Sequence, residues 1–170
     1  MLLRATGVSN LTIEGAGAGT PGAPGTSSLL MDKAFYMANP QLYPKSEDRM
    51  GLAFYNCVDV TVRNLTVART GGDGIYVNNL TRAHFIGVKA LENYRQGMSI
   101  ISATHLMVDE CEFADTYGTE PMLGVDFEPN NHDDVLHNIT LRNCLIAGNV
   151  GGGVSVGYSA LSSLTPMPVD

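Results

Sequence analysis

The stretch that decides the fold runs from residue 51 to residue 113 and reads as consecutive copies of one unit. The copies are GLAFYNCVDVTVRNLTVARTGGD (51–73), GIYVNNLTRAHFIGVKALENYRQ (74–96) and the first part of a third, GMSIISATHLMVDECEF (97–113). A shift of 23 residues aligns glycine or apolar residues in seven columns, the first of which holds Gly51, Gly74 and Gly97. Self-similarity at a fixed period indicates a repeat architecture.

The repeat continues on both sides of this stretch, with insertions. Towards the C-terminus, Leu141 matches Val108 after 33 residues, and a further copy begins at Gly153. Towards the N-terminus, Ile13 matches Val62 after 49 residues, so this first copy carries a long irregular insertion, which we place at residues 15–50.

Each copy has the pattern of β-strands. Apolar and polar residues alternate, as in Val60-Thr61-Val62, and no copy contains an amphipathic helical run of ten or more residues. Leucine-rich repeats share this period range, but their leucine-dense consensus is absent. The pattern therefore predicts an all-β, single-stranded parallel β-helix of about six coils, stacked about 4.8 Å apart. In this fold Val62, Phe85, Val108 and Leu141 should stack and be nearly buried, and no substantial helix should form.

The bulk properties fit one domain, residues 1–170. Both ends lack the capping element that solenoids usually need, which predicts a fragment of a longer, extracellular solenoid. The net charge of −7 argues against a nucleic acid partner, since phosphate contacts need a basic face. Residues 1–4 are too short for the apolar core of a signal peptide, and no run is long enough to span a membrane, so we expect no membrane partner.

Two of the three cysteines, Cys111 and Cys144, share an inward column on adjacent coils. We predict stacked free thiols, because a disulfide would need both side chains to turn out of a parallel stack. The cysteines show no zinc-binding spacing.

The candidate functional residues lie on the outward face of the first strand of each copy. Asp126 and Glu128 leave one strand on the same side, about 6.6 Å apart along it. Tyr76 and Asn78 leave the equivalent strand two coils earlier. This row of outward residues, which also holds Ser99, predicts a polar strip along the solenoid.

The turns before these strands add charged residues to the strip. Asp73 and Arg95 lie in successive turns, Gln96 follows Arg95, and Arg49 lies one coil before Asp73. Asp73 lies about 9.6 Å from Asp126 along the axis if each coil adds about 4.8 Å. A purely structural alternative is that Asp73 serves its turn, because aspartate bonds its own backbone there.

Two insertions flank the Asp126 strand, in 114–123 and 129–137, and longer loops beside one strand can form walls. The second loop carries His132, Asp133 and Asp134, which suit a solvated loop better than a metal site. The alternative for the whole strip is a solvated outer face without function.

Several segments resemble the right-handed parallel β-helix repeats of the pectin-lyase-like superfamily. They are NLTIEG (10–15), NCVDVTVRNLTV (56–67), GGDGIYV (71–77) and RQGMSI (95–100). In addition, GVDFEPN (124–130) is similar to a segment of some bacterial and phage β-helix proteins. The resemblance covers about residues 2–158 and implies the fold and a carbohydrate-active role. That superfamily includes polysaccharide lyases, glycoside hydrolases, uronate epimerases and phage tailspikes. The full catalytic sets of polygalacturonases and alginate epimerases are not found, so neither is carried over.

Two functional classes follow, a carbohydrate-active enzyme and a non-catalytic glycan-binding or structural β-helix. For a glycoside hydrolase the expected catalytic residues are Asp126, Glu128 and Asp73, and the spacing of the first two fits an inverting pair. The expected substrate-binding residues are Arg95, Tyr76, Asn78, Arg49 and His132.

A polysaccharide lyase or an epimerase acting on uronates is the alternative enzyme. It would need a base such as Arg95 or Tyr76 to take the α-proton, and a cation or arginine to neutralise the uronate. No cofactor is required for hydrolysis, whereas calcium could bind through Asp126 and Glu128, because hard cations take carboxylate oxygens.

Overall fold

The computed structural model describes residues 1–16 and 27–157. This part of the chain forms thirteen strands and one short helix. The strands are β1 (Leu3–Thr6), β2 (Ser9–Glu14), β3 (Ser28–Leu30), β4 (Leu52–Arg63), β5 (Thr66–Ala68), β6 (Ile75–Ile86), β7 (Lys89–Leu91), β8 (Gln96–Asp109), β9 (Glu112–Ala114), β10 (Leu123–Phe127), β11 (Leu136–Arg142), β12 (Leu145–Ala147) and β13 (Gly152–Val156). The helix is α1 (Lys33–Ala38).

Single residues with positive φ turn the chain at the corners of each coil. In the coil that starts with β4, Asn56 (φ 53°) and Asp59 (φ 55°) bend the strand, and Asn64 (φ 56°) ends it before β5. Asparagine and aspartate occur here because their short polar side chains tolerate the left-handed region better than bulky ones. Each coil therefore has three sides, two from its long strand and one from the short strand that follows.

Every strand pairing in the described residues is parallel. One sheet has the order β1-β4-β6-β8-β10-β13, with β2 beside β4 and β11 beside β8, and a second has the order β12-β9-β7-β5-β3. Each strand thus lies against the corresponding strand of the next coil, so the predicted parallel β-helix is confirmed.

The only helix of the described residues, α1, lies in the irregular insertion and has six residues. The Asp32 side chain caps it by accepting a hydrogen bond from the Phe35 amide at 3.0 Å. The absence of any substantial helix among the described residues agrees with the sequence prediction. None of these residues forms a helix long and apolar enough to cross a membrane.

The predicted core column forms as a ladder, in which Val62 pairs with Phe85, Phe85 with Val108 and Val108 with Leu141. The first three side chains are fully buried. The prediction that Leu141 is nearly buried is wrong: it is half-buried, because β11 pairs with β8 and no described strand pairs with its other edge. For the same reason Val154, which pairs with Val125 as expected, remains 52% exposed.

The two stacked cysteines are free, as predicted. Cys111 is buried and Cys144 is half-buried, and their thiols hydrogen-bond to each other. The Val88 amide also donates to the Cys111 sulfur at 3.4 Å. These thiols therefore belong to the core side of the ladder and not to the outward face.

One irregularity interrupts the 23-residue register. Val77 pairs with Ile100, but Asn78 pairs with Ser102 and Leu80 again with Ala103. Ile101 is therefore an extra residue in a β-bulge, and the expected alignment of Asn78 with Ile101 is wrong.

The insertion packs against the turns of the following coils. We call residues 39–50 the cover segment. It lies so close to the turn of residues 70–73 that a Cβ added at Gly72 would lie 2.4 Å from the Glu47 carbonyl oxygen. Ahead of it, the buried Lys33 ammonium donates to the carbonyl oxygens of Asn93 (3.4 Å) and Tyr117 (3.2 Å). The insertion thus fastens three successive turns on the side where the candidate residues lie.

Candidate functional site

Strand pairing brings the predicted outward residues into one row. Tyr76 of β6 pairs with Ser99 of β8, Ser99 pairs with Asp126 of β10, and Asp126 pairs with Ser155 of β13. Glu128 follows directly after β10, and its amide donates to the Ile100 carbonyl at 3.0 Å. Tyr76 therefore lies two strands from Asp126 on one face, as the register predicts.

The middle of this row, Ser99 and Asp126, is buried, and so is Asp73 in the turn before Tyr76. Asp73 and Ser99 are 0% exposed and Asp126 is 5% exposed. A solvated outer face is therefore the wrong description of these three residues. The Glu128 side chain, 36% exposed, is the carboxylate of the row that solvent reaches.

A continuous line of side-chain hydrogen bonds joins the two buried aspartates. The Ser99 hydroxyl oxygen lies 2.8 Å from Asp73 Oδ2, and it also hydrogen-bonds to the Gln96 Oε1 atom. The Gln96 Nε2 group donates to Asp126 Oδ2 at 3.0 Å. Ser155 makes a further side-chain hydrogen bond to Asp126. We call Asp73, Ser99, Gln96 and Asp126 the buried polar chain.

Arg95 is the centre of charge beside this chain. Its Nη1 atom lies 3.3 Å from both carboxylate oxygens of Asp73. Its Nη2 atom lies 3.4 Å from Glu128 Oε2 and 3.4 Å from Glu47 Oε1. One guanidinium is thus shared by three carboxyl groups from three parts of the chain.

Burial changes the acidity of both aspartates. Loss of solvation raises the pKa of Asp73 to about 7, against the opposing effects of Arg95 and Ser99. Burial, followed by the negative charge of Glu128, also raises the pKa of Asp126. Both groups are therefore able to hold a proton at a pH where an exposed aspartate is ionised.

An aromatic surface continues the row away from the carboxylates. The rings of Tyr55 and Tyr76 lie 5.4 Å apart, and the Arg4 guanidinium lies 4.5 Å above the Tyr55 ring. Asn78 hydrogen-bonds to Tyr76 through its side chain. Both tyrosines are half-buried, so part of each ring is accessible.

The structure places Arg49 and His132 away from this cluster. Arg49 donates to the Pro44 carbonyl oxygen, and its guanidinium lies 5.5 Å from the centre of the Tyr36 ring. It stabilises the cover segment and makes no described contact with the carboxylates. His132 is exposed in a loop shaped by Asp134, whose carboxylate accepts from the backbone amides of residues 130 and 131 at 2.8 Å.

A small opening leads to Arg95. It has a volume of about 140 Å³ and lies between the cover segment and the loop that precedes β10. Thr119 and Glu120 of that loop line it, together with Lys45, Ser46, Glu47 and Arg95. The insertion within 114–123 thus borders the cluster, as a wall would.

Ser99, Gln96 and Glu47 belong to this cluster although they are not among the residues predicted to be catalytic or substrate-binding. The column that holds Tyr76 and Asp126 also holds Ser99, so a role for Ser99 was within reach of the repeat alignment. Glu47 carries no such signal, because it belongs to the insertion and has no equivalent in other coils.

A metal would have to compete with these contacts. Across residues 1–16 and 27–157, no three His, Cys, Asp or Glu side chains are arranged to hold a metal ion. Glu128 and Asp126 offer the carboxylate oxygens that a hard cation prefers. These oxygens already accept hydrogen bonds, Glu128 from Arg95 and Asp126 from Gln96. Calcium binding stays a prediction.

Comparison of the chain with curated proteins and with solved structures found no significant match. The sequence does match a family described as a right-handed beta helix region, over residues 5–165. The parallel coils, the stacked core and the match over nearly the whole chain agree: the protein belongs to the right-handed β-helix family.

Proposed function

We propose that this protein binds a neutral polysaccharide across Tyr76, Arg95, Asp126 and Glu128 and hydrolyses a glycosidic bond there. The observation that carries the proposal is the pair Asp126 and Glu128, which leave one rigid strand on the same side. One of them is buried with a raised pKa, and the other is accessible and held by Arg95. Glycoside hydrolases need two carboxyl groups in two different environments.

The roles follow from these environments. Asp126, whose burial favours the protonated form, donates its proton to the glycosidic oxygen as the bond between that oxygen and the anomeric carbon breaks. Glu128 takes a proton from the water whose oxygen forms the new bond to the anomeric carbon. Return of the proton from Glu128 through solvent restores Asp126. The separation of about 6.6 Å along the strand suits an inverting pair.

The local charge favours neutral glycans over uronates. Four carboxyl groups, from Glu47, Asp73, Asp126 and Glu128, surround the single guanidinium of Arg95. Arg95 is therefore engaged and not free to neutralise a substrate carboxylate, which elimination or epimerisation of a uronate requires. A sugar acid would also meet the negative field of the remaining carboxyl groups.

The tyrosines offer a surface for a sugar ring. Tyr55 and Tyr76 present adjoining rings beside the carboxylates, and an aromatic side chain combines an apolar face with a polar tip. Asn78, bonded to Tyr76, adds amide groups that can bind sugar hydroxyls.

Binding without cleavage is the second candidate function. It is favoured by the low exposure of Asp126, 5%, and by the hydrogen bonds from Gln96 and Ser155 that this carboxyl already makes. These contacts leave little of the Asp126 carboxyl accessible to a glycosidic oxygen, whereas Glu128, at 36% exposure, can still contact a bound glycan.

A panel of polysaccharides tests these functions on the wild-type protein. Galactan, arabinan, xylan and β-glucan represent neutral chains, and polygalacturonate and alginate represent uronates. We expect retention on a neutral chain and new reducing ends, without the absorbance of an unsaturated product. An unsaturated product from either uronate would contradict the proposal in favour of a lyase. Retention without product would support the binding function, and neither retention nor product would refute both.

A further inference from the structure

The buried polar chain contains three hydrogen bonds between side chains. Ser99 and Gln96 together can donate hydrogens to only two of them. The three links are Asp73 to Ser99, Ser99 to Gln96, and Gln96 to Asp126. Each link needs one hydrogen between its two heavy atoms. Ser99 has one hydroxyl hydrogen and can donate it to one neighbour only. The Gln96 side chain has donors on one side of its amide and an acceptor on the other.

In one orientation, the Gln96 nitrogen faces Asp126 and its oxygen faces Ser99. Gln96 then donates to an ionised Asp126, and Ser99 gives its hydrogen to the Gln96 oxygen. The link from Ser99 to Asp73 has no hydrogen left, so Asp73 must be protonated and donate to Ser99.

In the other orientation, the Gln96 amide is turned over. Gln96 then donates to Ser99, and Ser99 donates to an ionised Asp73. The Gln96 oxygen now faces the Asp126 carboxyl, and this link requires a proton on Asp126. Both orientations therefore need one additional proton on the aspartate pair, which makes the count independent of how the amide is assigned.

We propose that Ser99 and Gln96 are positioning residues that make Asp73 and Asp126 hold one proton between them, on Asp73 in one orientation of the Gln96 amide and on Asp126 in the other. This inference rests on the proposed function, in which Asp126 is the acid. Asp73, which the sequence predicts to be catalytic, has no exposed surface for a substrate atom to contact and is therefore a positioning residue in this proposal.

The surroundings agree with a retained proton. Arg95 donates to Asp73 from the other side and favours the ionised form of Asp73. Glu47, Tyr55 and Tyr76 also lie near enough to Asp73 to interact with its charge. The charged groups that face Asp126 are Glu128 and Arg95. Burial outweighs Arg95 and raises the pKa of Asp73 to about 7. After Asp126 has given its proton to a leaving group, the chain lacks one hydrogen, and the pair must recover it before the next turnover.

The test needs no glycan, so its failure is distinct from failure of the proposed function. Aspartate labelled with ¹³C at the carboxyl carbon reports protonation by NMR, and the signals of the pair are assigned with Asp73→Asn and Asp126→Asn. In the wild type we expect one proton on the pair at about pH 5.5, below the Asp73 pKa. In either variant the new asparagine has a permanent N–H group. Asn at 73 can donate it to Ser99, and Asn at 126 can donate it to the Gln96 oxygen. The remaining carboxyl should therefore be ionised, its titration midpoint lowered by at least about one pH unit, tenfold in proton concentration.

Three further variants separate shared protonation from simple charge and packing effects. Glu128→Gln removes a neighbouring negative charge without touching the chain, and its smaller shift measures the electrostatic contribution. In a Ser99→Ala background, the effect of each amide on the other carboxyl should shrink to that contribution. Ser102→Ala, on the same strand and bonded to the Val135 backbone, should leave both signals unchanged. Carboxyls that titrate in each amide variant as they do in the wild type, or two ionised carboxyls at about pH 5.5, would overturn the proposal.

Discussion

Replacing Asp73 by asparagine should change how the stability of the whole solenoid depends on pH. The Asp73 side chain is completely buried, and its carboxyl has a pKa of about 7 in the folded protein against an ordinary value of 3.8. Asparagine keeps the shape, can accept from Arg95 and can donate to Ser99, but it has no proton to lose. The comparison of wild type and variant therefore measures the free energy of the proton that the linked pair Asp73 and Asp126 retains.

The sign follows from proton binding. Between pH 3.8 and about 7 the unfolded chain has released the Asp73 proton while the folded chain retains it. The free energy of unfolding consequently falls as pH rises through this window and levels off above it. At about 1.4 kcal/mol per pKa unit, the displacement corresponds to roughly 4 kcal/mol.

Urea unfolding at several pH values between about 4 and 8 measures the effect. We expect the wild type to lose roughly 4 kcal/mol relative to Asp73→Asn across this range. Taking the difference between the two proteins removes the contributions of the other carboxyls, apart from Asp126, whose titration the variant also changes. Parallel stability curves would show that Asp73 is ionised in the folded state throughout, and would refute the description of its burial.

Two further predictions concern the core and the thiols. Phe85→Ala should lower the free energy of unfolding by roughly 3–5 kcal/mol, because the ring is fully buried and its centre lies 5.8 Å from that of Phe54. Val154→Ala, at a 52% exposed position, is the control and should leave the melting temperature almost unchanged. A thiol reagent at neutral pH should modify Cys144 first, since its hydrogen bond with Cys111 lowers its pKa to about 7 and it is partly exposed. Mass spectrometry of the native protein measures the rate at which each cysteine is modified. An equal rate for Cys111 and Cys144 would contradict this order.

The stacking of the core could be predicted because the repeat specifies it directly. Val62, Phe85 and Val108 occupy one column of the sequence, and parallel coils turn each column into a ladder. The same logic placed Tyr76 and Asp126 on one face. The bulge at Ile101 could not be predicted, since the extra residue is compensated within the same strand and leaves the 23-residue spacing of the core unchanged.

The cover over the site could not be predicted from the repeat. A residue's column determines the side of the strand on which it lies, but not what packs above it. The column predicts correctly on which side of its strand Asp126 lies, whereas its burial, at 5% exposure, has no signal in the repeat. Arg49 does lie against Gly71 and Gly72, as the 23-residue step predicts, but its guanidinium is directed to Pro44 and Tyr36 and not to the carboxylates.

The most direct test of the proposed site compares amide variants inside and outside it. Asp126→Asn and Glu128→Gln remove the two carboxylates, while Asp59→Asn and Glu14→Gln remove an aspartate and a glutamate that form surface ion pairs elsewhere on the solenoid. All four are assayed on the neutral polysaccharide to which the wild type responds, for reducing ends and for retention. We expect both site variants to lose the response and both control variants to keep it. Full response by correctly folded Asp126→Asn and Glu128→Gln would contradict the assignment of the site to this strand.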